Sequence, residues 1–424
     1  MRILHVNKFL YRRGGAEGYM LDVVELQRRA GHEVELFGMA HPDNLPDLPL
    51  ADTFPPHVEL EPAPGGLAGL AAGARMVWSP SSSRGMARAV ERFQPDVVHL
   101  HNIYHQLSPS VLAAVRRAGV RSVMTLHDYK LACPSYQMLD HGSLCDACVG
   151  GSALNAARRR CKGDSLAAST LLSLESSVHR AMRAYGPVDV FISPSRFLAG
   201  VMARTGLAPE RLAVLNHFVE VAPVMPAAHR DGFVFAGRLS PEKGVDTLIR
   251  AMALLPPTVH LHIAGDGPAR DDLTVLARQV APAQVTFHGR LDKERLREVV
   301  AGSIATVVPS RWHENQPMTI LESYAAEVPA VVTDLGGMPE LVRDGVDGLV
   351  VAHDDPHALA DAMLRLRTDP TTATAMGRAG RQRLAEEFDP QLHLRRLDAI
   401  YRGEPVAAGA TSWQAGAQTL EGAS

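Results

Sequence analysis

The stretch IATVVPSRWHENQPMTILESYAAE (304–327) reads as a buried strand, a polar loop and a helix. Its apolar, β-branched run ends at Ser310, the loop spans Arg311 to Gln316, and Pro317 suits a first helical turn. Strand, loop and helix in that order form the repeating unit of a parallel α/β sheet. Outward from it, GFVFAGR (232–238), VHLHIAGDG (259–267), QVTFHGR (284–290), PAVVTD (329–334) and DGLVV (347–351) are further strands. VDTLIRAMALL (245–255) and ERLREVVAGS (294–303) are helices between them. An earlier set precedes these: RILHVN (2–7), HEVELFGM (32–39), DVVHLHN (96–102), RSVMTLHD (121–128), VDVFISPS (188–195) and RLAVLNHF (211–218). Residues 18–31, 109–119 and 166–186 read as the helices of that set. Two doubly wound α/β domains in tandem are expected, over 1–218 and 219–388, with the Pro- and Ala-bearing stretch 219–232 as linker. Residues 40–66 read as a loop, 389–402 as a last helix after a Phe-Asp-Pro break, and 403–424 as a mobile tail.

Composition narrows the function. Of 424 residues, 46% are hydrophobic and 21% charged, which suits a chain that buries two ordinary cores. A net charge of −3 gives no basic footprint for nucleic acid. The start, MRILHVNKFLYRRGGAE, reads as a first strand and helix rather than a signal peptide, and no run of about 20 uncharged apolar residues spans a bilayer. A cytoplasmic location is expected, and there the four cysteines would not form structural disulfides.

Open sheets of this type bind ligands at the carboxyl ends of their strands, so strand-end residues are the candidates. Gly14 and Gly15 lie where the first strand gives way to the first helix, a place for close backbone approach and free N–H groups. The sequence there is not GxGxxG, and a plain βα turn is the alternative. In FAGRLSPEKGVDTLI, Arg238 follows a strand and Lys243 precedes a helix, a cation pair suited to a diphosphate or to a solvated loop. Glu314 and Glu322 are separated by seven residues, two helical turns plus about 80° on one helix. Placed in a loop and in the following helix, they could flank a phosphate held by backbone N–H groups near Gln316, Met318 and Thr319. A capping carboxylate plus a solvated helix glutamate is the plainer reading. TDLGGMPELV (333–342) adds a Gly-Gly turn at the same sheet edge.

These stretches, with IAGDGP, ENQPMTILE and TDLGGMPELVRDGVDGLVV in the second half and GGAE, DVVHLHN, TLHDY, SPSRF and VLNHF in the first, resemble the retaining glycosyltransferases of family 4. The resemblance runs over residues 1–402. It implies the GT-B fold, two Rossmann-like domains facing a central cleft, with the C-terminal helix crossing back to the N-terminal domain. It implies that Glu322 binds the nucleotide ribose, that Glu314 faces the donor sugar, and that Arg238 and Lys243 clamp the diphosphate without a metal ion. It gives Gln316, Met318 and Thr319 as backbone donors, and Gly237 as part of the donor-binding loop. Gly289, Arg290 and Leu291 fall where the base is contacted, Gly15 and Glu17 near phosphate and acceptor, and His127 near the donor sugar. Asn216 matches weakly, since the family usually follows that Asn with Gly and here His217 stands. The family's usual account has no clear protein nucleophile, and a donor phosphate oxygen helps to deprotonate the acceptor.

The expected function is therefore transfer of a sugar from a nucleotide-diphosphate sugar to an acceptor hydroxyl or other nucleophile, in cell-surface glycan or specialised-metabolite synthesis. The acceptor, whether glycan, lipid-linked sugar or small molecule, would meet Tyr104, His105, His127 and the insertion at 129–165. A non-catalytic GT-B binding module is the alternative. An oxidoreductase is disfavoured by the missing GxGxxG and acidic ribose ligand.

All four cysteines, Cys133, Cys145, Cys148 and Cys161, lie in that insertion as C-x11-C-x2-C-x12-C. One CxxC knuckle suits tetrahedral thiolate ligation, so a structural zinc is one expectation, and free or redox-active thiols are the others. ARRRCKG (157–163) carries bases for an anionic acceptor or a peripheral membrane contact, or simply a solvated face.

Overall fold

The computed structural model describes residues 1–60, 66–221, 223–224 and 230–404, without the side chains of residues 67, 68 and 70. Part of the linker read at 219–232 and the tail beyond 404 lie outside the described residues. The first unit takes in residues 1–137, 146–215 and the chain from Leu394, and the second takes in 138–145 and 216–393. The last helix, Pro390–Arg402, thus belongs to the first unit from Leu394 onward.

Among the described residues fourteen strands run in chain order. In the first part lie β1 (Arg2–Val6), β2 (Glu33–Phe37), β3 (Val97–Leu100), β4 (Arg121–Thr125), β5 (Leu139–Asp140), β6 (Ser143–Leu144), β7 (Val190–Ser193) and β8 (Leu212–Val214). In the second lie β9 (Phe233–Ala236), β10 (Leu261–Ala264), β11 (Val285–Gly289), β12 (Ala305–Val308), β13 (Ala330–Thr333) and β14 (Gly348–Val351). The first unit's sheet has the order β2-β1-β3-β4-β7-β8 and the second's β11-β10-β9-β12-β13-β14. All pairings within these two sheets are parallel. β5 and β6 form a separate antiparallel hairpin.

Each order reverses direction once, between β1 and β3 in the first unit and between β9 and β12 in the second. There the loops leave the sheet toward opposite faces and open a crevice at the strands' carboxyl ends. Parallel strands covered on both faces read as near-continuous apolar runs. β3, β12 and β13 are buried at every position, which is why their runs do not alternate.

Two helices lie where the sequence was read as loop or left unread, Gly66–Val77 and Pro80–Phe93. The second starts in a legible way: Ser79 accepts from the Ser82 N–H and Pro80 opens the first turn. Met86, Ala89, Val90 and Phe93 then recur at helical spacing and are buried. Gly85 sits inside this helix because a Cβ there would lie 2.2 Å from the Thr53 carbonyl oxygen. The strand read at 211–218 is only three residues long, and the helix read at 166–186 ends at Ala181.

Candidate active site

The second unit builds its candidate site from the loops after β9 and β12, the two strands at its switch point. After β9 come Gly237, Arg238 and a single 3-10 turn, Pro241–Lys243, then the helix Val245–Met252. Gly237 and Arg238 are exposed, and among the described residues Arg238 has no recorded side-chain partner. IAGDGP explains itself by locking this loop. The Leu239 N–H donates to the Asp266 carbonyl at 3.0 Å, and a Cβ at Gly267 would lie 2.3 Å from the Leu239 oxygen.

Lys243 does not stand alone. Its Nζ donates to Glu314 Oε1 at 2.7 Å, and the Ser310 hydroxyl donates to the same oxygen at 2.6 Å. Burial opposes ionisation of Glu314, but Lys243 and hydrogen bonds from Ser310 and Trp312 outweigh it and hold the carboxyl below its ordinary range. Glu314 is therefore a buried, ionised acceptor already paired with one half of the expected clamp. Its backbone is gripped as well: the Gly337 N–H donates to the Glu314 carbonyl at 2.6 Å. Gly336, at φ +63°, could not carry a Cβ without meeting Glu314 O at 2.3 Å and N at 2.6 Å. The Gly-Gly turn of TDLGG is thus required to seat the first glutamate.

Pro317 is the N-cap of the helix Met318–Ala325, so the N–H groups of Met318 and Thr319 are among those a helix leaves unpaired at its start. Glu322 lies in the second turn of that helix and is half-buried. The Gln316 side chain is buried and clasps a neighbouring segment, accepting from the His217 N–H at 2.7 Å and donating to the His217 carbonyl at 3.1 Å. The expected Asn-Gly match at 216–217 is thereby replaced by a His whose backbone is held from across the loop. Gly289 closes β11 at φ +69°, with Arg290 exposed and Leu291 half-buried beyond it.

In the first unit, Gly15 opens the helix Gly15–Arg29 and is exposed, and a Cβ there would meet nothing within 4 Å. The protein alone does not demand glycine at that position. Glu17 is buried in the helix's first turn, where the positive end of the helix favours a carboxylate. His127 lies two residues beyond β4 and is half-buried. Burial of the imidazolium drives its pKa down to about 3.

Tyr104 and His105, expected to meet the acceptor, lie near this strand end with charged groups that the sequence does not single out. Asp128 is raised to about 6 by burial, against the pull of a backbone hydrogen bond and of Lys8 and Lys130. It accepts a hydrogen bond from the Tyr104 hydroxyl. Lys130 donates to Glu175 at 2.8 Å and to the Pro134 carbonyl at 3.0 Å. Glu175 also faces His105 Nδ1 at 3.2 Å. Beneath them His5, His99 and His101 are fully buried, the first on β1 opposite His99 on β3. The signal was present as a histidine at or beyond three strand ends, in ILHVN, VVHLHN and TLHDY, and it was read only for His127.

Among the described residues the four cysteines do not form a group of three or more possible ligands. Four thiolates on one zinc need sulfurs roughly 3.8 Å apart. Among the described residues, the one group of three or more possible ligands is His5, His99 and His101, whose nitrogens lie within 4.8 Å of one another. Cys145 falls in the second unit while Cys133, Cys148 and Cys161 fall in the first, and none forms a disulfide. Of the insertion's bases, Lys162 donates to the Tyr136 hydroxyl at 3.1 Å, and Arg158, Arg159 and Arg160 are exposed. No helix among the described residues is long and apolar enough to cross a membrane.

Residues 14–216 match the family model of the glycosyl transferase 4-like domain, and residues 228–383 that of glycosyl transferases group 1. A glycogen synthase of Mycobacterium tuberculosis is 37% identical over 162 residues, covering 37% of this chain and 39% of that one. The alpha-maltose-1-phosphate synthase of the same organism is 29% identical over 317 residues, covering 69% and 75%. Anabaena HepE, solved with UDP and glucose, superposes with a TM-score of 0.66 at 18% identity, over 95% of this chain and 99% of that one. The match thus spans well under half the length of the glycogen synthase. Taken with two parallel-sheet units of this topology, the comparisons identify the chain as a member of glycosyltransferase family 4 with the GT-B fold.

Proposed function

We propose that the protein moves a sugar, with retention of configuration, from a nucleotide-diphosphate sugar to a hydroxyl of a glycan, lipid-linked or small-molecule acceptor. One observation carries this reading: an exposed arginine and a lysine in the loop after β9, and a helix start after β12, belong to the second unit's switch point, where the lysine pairs with an ionised glutamate. As the glycosidic bond breaks, negative charge builds on the leaving diphosphate and positive charge on the sugar ring. Arg238, Lys243 and the N–H groups of Met318 and Thr319 stabilise the first as it forms. This positive set supplies the charge the leaving group needs, so we propose chemistry without a metal cofactor. Ionised Glu314 accepts from sugar hydroxyls, and Glu322 accepts from the ribose. Gly237, Gly289, Arg290 and Leu291 line the nucleotide, and Gln316 acts through its backbone. Gly15 and Glu17 meet phosphate and acceptor, and His127 meets a sugar or acceptor hydroxyl.

The UDP-glucose bound to HepE in a second solved complex supports a donor of this class. A panel of nucleotide sugars, read by thermal shift and then by product formation, tests the proposal. Glu322→Ala should weaken nucleotide binding by about tenfold, the worth of one charge-assisted hydrogen-bond pair. Binding of a donor with neither hydrolysis nor transfer across acceptors would favour a binding module instead.

A further inference from the structure

A continuous hydrogen-bonded row of imidazoles ends at His127. Gln27 Oε1 lies 2.8 Å from His5 Nε2, His5 Nδ1 lies 3.0 Å from His101 Nε2, and His101 Nδ1 lies 3.0 Å from His127 Nε2. The rings stack as they go, with centroids 5.3 Å apart at both steps. The arrangement follows from strand geometry. His99 and His101 are two residues apart on one face at β3, and the register sets His5 of β1 beside His99. Gln27 and Tyr19 come from the helix Gly15–Arg29, and Tyr401 comes from the last helix.

A neutral imidazole carries one N–H donor and one bare acceptor nitrogen, so each link fixes the next. An amide oxygen only accepts, so His5 must donate from Nε2 and leave Nδ1 bare. His101 must then donate to it from Nε2, and His127 must donate to His101 from its own Nε2. The amide's other end agrees. Gln27 Nε2 donates to the Tyr401 hydroxyl at 3.0 Å, Tyr401 donates to His99 Nδ1 at 2.6 Å, and His99 Nε2 donates to Thr125 at 2.7 Å. Neutrality is supported by burial, which lowers His5 to about 4 and His127 to about 3. Arg28 on the same helix adds to the effect at His5. The nitrogens of His5 and His99 are all engaged in these bonds, so the three-histidine group is organised for hydrogen bonding rather than for a metal ion.

We propose that Gln27, His5 and His101 are positioning residues that hold His127 as its Nε2–H tautomer, so that Nδ1 accepts a hydrogen bond from a substrate hydroxyl and cannot donate one. The catalytic half of this statement rests on the site proposed above, while the tautomer does not. The row thus selects a hydroxyl over a carbonyl or phosphate oxygen at that point.

Histidine labelled with 15N in the intact protein reads the tautomer directly, with the His127 signals assigned by their loss in His127→Gln. The expected spectrum has a protonated Nε2 and an unprotonated Nδ1 at His127, unchanged from pH 8 down to pH 5.5. A protonated Nδ1, or rapid averaging of the two forms, overturns the proposal. Two variants add function. His5→Leu removes the acceptor that orients His101, whereas the Oδ1 of His5→Asn can take the place of Nδ1. His5→Leu should lower kcat about a hundredfold with KM for the nucleotide sugar little changed, and His5→Asn should recover most of it. Equal kcat in the two variants overturns the role of the row. If wild type shows the Nε2–H tautomer but transfers no sugar, the positioning holds and the catalytic reading fails.

Discussion

The two units place their candidate groups at equivalent sheet edges but run opposite electrostatics. In the second unit the groups are charged: Lys243 and Glu314 pair at 2.7 Å, and Arg311 donates to Asp246 at 2.8 Å nearby. In the first unit a hydrogen-bonded row of imidazoles ends at His127, with the buried Lys130–Glu175 pair as charge beside it. Each suits its proposed partner. A diphosphate that gains charge on leaving needs fixed positive groups, whereas a hydroxyl needs a directional acceptor that stays uncharged. The contrast implies that charge removal should damage the second unit's site most, and acid should damage the first.

The sharpest break is Arg238→Ala. Because Arg238 is exposed and carries no recorded partner among the described residues, its loss should leave the fold intact. Turnover should fall by roughly a hundredfold to a thousandfold, as when one transition-state donor is removed elsewhere. Steady-state kinetics beside an unchanged melting temperature would establish this, and full activity would remove the diphosphate clamp from the account. Lys243→Ala is a poorer probe, since it strands a buried carboxylate and would cost stability as well.

Acid should act on the first unit next. His5 and His105 fall to about 4 and His127 to about 3, so the fold keeps them neutral while the unfolded chain takes up protons below about 6.5. Stability is then full above pH 6.5 and is lost as pH falls toward 4, by about 3 kcal/mol for fully buried His5 alone. Asp128 works the other way. Raised to about 6, it stabilises the fold below pH 4 and loses that contribution as pH rises through 6. One carboxyl does not cancel three histidines, so the melting temperature should drop from pH 7 to pH 4.5. His5→Asn should flatten that drop, and an unchanged slope would mean that His5 titrates normally.

Glycines separate the units in a third way, and they show what the sequence could disclose. The parallel sheets were legible because strands buried on both faces read as near-continuous apolar runs, and the loop-to-helix junction at Pro317 because proline marks a helix start. The role of Gly336 was not legible, because it depends on Glu314 lying 2.3 Å from an atom glycine lacks. Nor was the histidine row, since its members are up to 122 positions apart in sequence (His5 to His127) and meet only through strand register. The helix Pro80–Phe93 was legible at its Ser-Pro start and lay beyond a loop that drew attention away from it. Gly336→Ala should therefore shift Glu314 and weaken donor binding, costing about 2 kcal/mol or more from a strained positive φ and a backbone clash. Gly15→Ala meets no protein atom and should fold as well as wild type. Any activity it loses would then report a ligand that approaches the backbone there, and unchanged KM and kcat would leave Gly15 an ordinary helix start.

The smallest effect should come from chelation. A structural zinc that holds a fold contributes its binding energy to stability, so stripping it would lower the melting temperature by many degrees. Among the described residues the cysteine sulfurs form no such group, and the buried histidine nitrogens nearest to one another are already spent on hydrogen bonds. Prolonged treatment with a strong chelator should thus leave the melting temperature within about a degree, and zinc titration should not raise it. A large drop, restored by one equivalent of zinc, would show that the insertion closes around a metal in solution. A fixed dication would then sit in the insertion, and the contrast between the two units would have to be redrawn.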